Sequence, residues 1–119
     1  MRVLAFEDSY DVEALLTSGG VDFEALQFKQ RWNTEDALQV IADFKPDVLL
    51  LDHFIPPLKG LEVLNMVNEA VEAGHIERPD TIVGMSSASF ANRSMEKSGA
   101  DHAVIKFDLA SLDLWPRLE

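Results

Sequence analysis

The sequence predicts an α/β domain in which five short apolar strands alternate with helical segments, giving one parallel sheet with helices on both faces. Two observations carry this. Val48-Leu49-Leu50-Leu51 is an unbroken apolar run of strand length, as expected of a strand buried on both faces, and it delivers a carboxylate, Asp52, to its carboxyl end. Further apolar runs precede and follow it, at connection lengths that hold a helix, and such crossovers imply parallel strands with right-handed connections.

Each element has its own signal. Strand one spans residues 2–6. Asp8 or Ser9 caps a helix to about Thr17, with Leu15 and Leu16 inward and Gly19-Gly20 as the stop. Strand two, residues 25–31, alternates apolar and polar at Leu26, Phe28 and Gln30, the pattern of an outer strand. Asn33-Thr34 opens helix two, whose stripe is Ala37, Leu38, Ile41 and Ala42, and Lys45-Pro46 ends it. Strand three is 48–52. Helix three starts near Lys59-Gly60, carries Leu61, Leu64, Met66, Val67 and Val71 on its apolar face, and stops at Gly74. Strand four is 81–85, with Gly84 an oddity in a strand interior. Helix four covers 89–98, strand five 103–105, and a short helix starts at about Leu109, its last turn compromised by Pro116. Trp115 is read as cover for the core, with a partner anchor as the alternative.

Composition narrows the function classes. A chain of 119 residues fits one domain, 1–119, with no linker, repeat or second unit. Ten Lys and Arg against 21 Asp and Glu give a net charge of −11, which argues against binding nucleic acid or an anionic membrane. The chain contains no cysteine, hence no disulfide, thiolate metal site or thiol nucleophile. No apolar run approaches the ~20 residues of a membrane span, and the expectation is a soluble cytoplasmic protein.

The chemistry lies at the strand ends. Glu7 and Asp8 close the first strand and Asp52 the third, while Ser86 and Lys106 close the fourth and fifth. Open α/β sheets place their sites at that edge. Three acids packed together repel unless a cation sits among them. An oxygen-only set favours a hard ion, and Mg2+ needs few protein ligands. A hydroxyl and an ammonium beside them match the needs of a phosphoryl group. Ser87 could take the role of Ser86. His53 is expected at the site mouth, exposed to solvent, and His75 and His102 carry no ligand spacing.

These residues resemble the receiver domains of two-component response regulators. Glu7-Asp8, the run Asp52-x-x-Ile55-Pro56-x-x-x-Gly60, Ser86, the Gly99-Ala100-Asp101 turn and Lys106 carry the resemblance, which covers the whole chain. It implies a flavodoxin-like (βα)5 three-layer sandwich with strand order 2-1-3-4-5. It implies a stand-alone, chemotaxis-regulator-like domain with no output domain, a signalling domain rather than an enzyme. Asp52 would accept a phosphoryl group from a sensor histidine kinase or histidine phosphotransfer protein. Glu7, Asp8, Asp52 and the Phe54 carbonyl would hold Mg2+, and Ser86 and Lys106 would contact the phosphoryl oxygens. A downstream protein would read the change, the chain being a monomer or weak dimer.

Two departures bear on that reading. The aromatic that relatives carry on strand five is Ala103, so coupling from the site to the outer surface must take another route or be weak. The proline that commonly follows the lysine is Phe107, so the usual cis bond there is not expected. The alternative is a degenerate receiver used as a phosphorylation-independent interaction module. A flavin site is disfavoured by the acidic loop after strand one, and a hydrolase by the lack of a base paired with a nucleophile.

Overall fold

Strands form where the sequence supplies apolar runs too short for helices, and all of them join one sheet. The structure, a computed structural model, describes residues 1–119. Strands β1 (Arg2–Phe6), β2 (Gln27–Arg31), β3 (Val48–Leu51), β4 (Thr81–Gly84) and β5 (His102–Ala103) lie parallel in the order β2-β1-β3-β4-β5. The predicted (βα)5 order is therefore observed. All four residues of β3 are buried, as its unbroken apolar run requires. β2 is an edge strand and keeps the half-exposed pattern that its alternation implies.

Helices α2 (Ala37–Phe44), α3 (Gly60–Glu72) and α4 (Ser89–Lys97) cover one face, where Ile41, Val63, Leu64, Val67 and Met95 pack on Leu4, Phe6, Leu49, Leu51 and Ile82. The other face carries α1 (Val12–Ser18), a 3-10 helix at Lys106–Ser111 and the C-terminal segment, with Val12, Leu16, Leu109 and Trp115 on Val3, Ala5, Leu50 and Val83. Gly84 is no oddity in this packing. A Cβ there would lie 2.6 Å from the Met95 sulfur, so the glycine lets α4 rest directly on β4.

Three expectations are corrected. The first helix begins at Val12, capped by the Asp11 side chain, because the Ser9 and Tyr10 amides turn instead to Glu7. Its inward residues are accordingly Val12 and Leu16, with Leu15 only half-buried. The second helix begins at Ala37, since Thr34 is consumed in a loop contact described below. The fifth helix is the 3-10 segment Lys106–Ser111, starting before Leu109. An α-helix would pair the carbonyls of Leu109, Ala110 and Leu112 with amides four residues on. Here the Trp115 indole donates to Leu109 O at 2.9 Å, and the Arg117 guanidinium donates to Ala110 O and Leu112 O.

The chain then straps back across the end of α1. Asp22 N donates to Pro116 O at 2.8 Å, Leu118 N to Gly20 O at 3.0 Å, and Val21 bridges Arg117 antiparallel. Trp115 is 6% exposed and covers the core, as expected. The Trp115→Ala variant should lose about 3–5 kcal/mol of stability in a denaturant titration, whereas Trp32→Ala, at a residue 51% exposed, should stay within ~0.5 kcal/mol of the parent.

Candidate functional site at the carboxyl edge of the sheet

Register alone gathers the polar groups. Phe6 pairs with Leu51, Leu51 with Gly84, and Gly84 with Ala103. Continuing each strand past these partners brings Glu7 and Asp8, Asp52, Ser86 and Lys106 out at one edge. Asp52 N donates to Phe6 O at 3.0 Å and Met85 N to Leu51 O at 3.0 Å, so the ladder holds to the last residue before the site.

Glu7 and Lys106 form its floor. The Lys106 ammonium lies 2.6 Å from Glu7 Oε1 and 3.7 Å from Asp52 Oδ2, and all three residues are buried. The other Glu7 oxygen accepts from Ser9 N at 2.7 Å and Tyr10 N at 3.3 Å. The Tyr10 ring closes over the ammonium at 4.9 Å, a cation–π contact. Gln30, on the edge strand, fixes the loop from outside. Its amide donates to Glu7 O and Tyr10 O, both at 2.9 Å, and accepts from Val12 N at 3.0 Å. The alternation that marks Gln30 as a strand residue gives no sign of this role.

Asp52 is 3% exposed. Burial and the neighbouring Glu7 charge push its carboxyl above the ordinary value of 3.8, the Lys106 ammonium and a hydrogen bond from the His53 backbone pull it down, and Asp8 pushes it up again. The push wins. Carboxylate oxygens of Glu7, Asp8 and Asp52 come within 4.8 Å of one another. The Phe54 carbonyl accepts no hydrogen bond from the chain. Three clustered carboxylates, one of which resists ionising, fit a divalent cation such as Mg2+.

The loop carrying Asp52 is held from both sides. Gly60 N donates to His53 O at 3.0 Å, and a Cβ at Gly60 would lie 2.1 Å from Asp52 O. Only glycine allows α3 to approach this closely. Across the loop, the buried Thr34 hydroxyl donates to Leu58 O and accepts from Leu58 N, both at 2.7 Å, while Thr34 N donates to Pro56 O at 2.9 Å. The expectation for His53 is overturned: the imidazole is buried, 8% exposed, with Nδ1 lacking any partner and the Phe54 ring 4.8 Å away. Burial, reinforced by Lys59, pulls it below its ordinary 6.5 against the opposing charge of Glu62.

Of the two serines, Ser86 is fully buried, whereas Ser87 is exposed. Ser86 Oγ accepts from Ala88 N at 3.1 Å. Asn92, a residue with no sequence signal, is buried beneath it and grips its main chain. The only cis peptide bond joins Pro56 and Pro57, so the bond from Lys106 to Phe107 is trans, as expected.

No family model matches the chain. Solved structures do resemble it. The BeF3-activated N-terminal receiver domain of RstA from Klebsiella pneumoniae matches at TM-score 0.69 and 21% identity, over 89% of this chain and 86% of that one. This chain has the receiver fold. The receiver domain of a histidine kinase from Arabidopsis thaliana, complexed with Mg2+ and BeF3−, matches at TM-score 0.69 and 17% identity, over 92% of this chain and 85% of that one. A Saccharomyces cerevisiae co-crystal of a histidine phosphotransfer signalling protein with the receiver domain of its downstream response regulator matches at TM-score 0.70 and 20% identity, over 89% and 78%. Such receiver domains supply the fold that the strand-end residues implied.

Two substitutions at this receiver-fold edge should move stability in opposite directions. Asp52→Asn removes a buried charge while Lys106 keeps Glu7, so without divalent cations its melting temperature should rise by several degrees. Because the folded-state carboxyl lies above 3.8, its contribution is fully present below that pH and is lost as pH rises through the folded value. The advantage of Asn should therefore be small in acid and grow toward neutrality. Lys106→Ala strands the carboxylates and should lose about 3–5 kcal/mol. Gly60→Ala should cost about 1–3 kcal/mol through the clash with Asp52 O, read in the same melts.

Proposed function

We propose that the chain is a phosphoacceptor signalling domain. Asp52 takes a phosphoryl group from a phosphohistidine on a sensor histidine kinase or histidine phosphotransfer protein, and a separate protein reads the result. The observation that supports this most directly is the buried Asp52 carboxylate, set between the acid pair Glu7 and Asp8 and the Lys106 ammonium 3.7 Å away. A structural ion pair needs no third acid. A group receiving a dianion needs both an ammonium and a cation site. The receiver domain solved with a phosphotransfer protein supports this kind of donor.

In this mechanism an Asp52 oxygen attacks phosphorus in line as the bond to the donor's imidazole nitrogen breaks. The electron pair leaves with the imidazole, and the product is an aspartyl phosphate. Lys106, held against Glu7, is poised to pair with a phosphoryl oxygen without moving far. The Ser86 hydroxyl accepts from Ala88 N and has its own proton free to donate to another oxygen. Mg2+ would neutralise charge on the transferring group. Asp8, Asp52 and the Phe54 carbonyl are the groups to hold it, with Glu7, whose oxygens already accept from three donors, adding charge beneath.

Intact-protein mass spectrometry after incubation with acetyl phosphate tests the reading. The parent should gain the mass of one phosphoryl group only when Mg2+ is present, and Asp52→Asn should gain none. A folded parent that gains nothing, and that binds no beryllofluoride, would instead support the phosphorylation-independent interaction module.

A further inference from the structure

Asn92 is a buried polar side chain in the middle of α4, 6% exposed, with every bond directed away from its own helix. Its Oδ1 accepts from Ser86 N at 3.0 Å. Its Nδ2 donates to Ser86 O at 3.0 Å and to Val104 O at 2.8 Å. The amide thus reads both main-chain groups of Ser86, as a neighbouring strand would, and spends its remaining proton on the chain leaving β5. Ser86 stands beyond the last pair of β4, where the sheet no longer restrains it. Val104 is two residues before Lys106, and its own amide donates to Gly84 O at 2.9 Å.

We propose that Asn92 is the positioning residue that couples the phosphoacceptor site to α4. Its fork makes the Ser86 peptide, the end of β5 and α4 one mechanical unit. Displacement of Ser86 toward a group on Asp52 must either break the two buried hydrogen bonds between Asn92 and Ser86 or carry α4 with it. Leaving a buried amide unpaired is costly, so the helix moves. The outer surface of α4, which exposes Phe90 and Arg93, thereby receives the state of the site. Ala103 leaves no aromatic on β5 for this task, and the fork at Asn92 supplies a route that does not need one. The proposal rests on the phosphoacceptor reading and specifies its output.

The test uses the full chain, with beryllofluoride and Mg2+ as the probe and nitrogen-resolved NMR as the readout, alongside the acetyl phosphate mass assay. In the parent, saturation should shift the Asn92 side-chain amide together with the main-chain amides of Ser86, Val104 and α4. In Asn92→Ala, the mass assay should still show Mg2+-dependent phosphorylation, because Asp52, Glu7 and Lys106 are untouched. The amide shifts should then stay within the loops around Asp52 and Ser86 and vanish from α4. Undiminished α4 shifts in Asn92→Ala overturn the proposal. A parent Asn92 side-chain signal that stays fixed while Ser86 moves also overturns it, and this measurement needs no variant to fold. A parent that neither gains phosphoryl mass nor responds to beryllofluoride overturns the phosphoacceptor reading and the coupling with it. A parent that phosphorylates but fails the Asn92 arms overturns the coupling alone.

Discussion

The buried ion pair between Glu7 and Lys106 is the constraint on which the site depends. It joins residues 99 apart in sequence at 2.6 Å, and neither side chain has appreciable contact with water. Such a pair gains little net stability, because desolvating both charges offsets their attraction, but losing one partner is severe. Its value here is positional. By holding the ammonium down against Glu7, it fixes the distance to Asp52. By drawing the Ser9 and Tyr10 amides onto the same carboxylate, it opens the loop that carries Asp8 and delays the start of α1. The first and last strands must both be in place before any of this exists, so the site is a property of the complete sheet and of no fragment.

The strands and the ionisable residues at their ends were legible in the sequence because both signals are local. Four apolar residues in a row identify β3, and the acid that follows must leave the sheet at its carboxyl edge. Gln30, Thr34 and Asn92 were not legible. Each is a polar side chain clamping main chain that lies 6 to 24 residues away, a geometry with no periodicity to betray it. His53 was misjudged because a polar residue beside an acid reads as solvent-facing, while its ring packs against Phe54 and loses a partner at Nδ1. The fifth helix is 3-10 and starts earlier than expected for a related reason. Its residues have adequate helical character, but Trp115 and Arg117 compete for the carbonyls that helix formation needs. Gly60 and Gly84 show the opposite case, where a conspicuous glycine has a plain steric meaning once the neighbour is known.

The resemblance to receiver domains sharpened what spacing alone had begun. Spacing put Lys106 at the end of the fifth strand; only the fold makes it a buried residue facing two carboxylates. The departures matter as much. The fifth strand is only two residues long, and the Asn92 fork meets the chain just beyond it.

The two faces of the sheet are clothed unequally. Three helices of eight, thirteen and nine residues pack on one side, while the other has a seven-residue helix, a 3-10 turn and the strap that ends in the Val21–Arg117 bridge. Short helices and isolated bridges open at lower free energy than long packed helices. The sheet therefore separates a face whose cover opens at lower free energy from one held under longer packed helices.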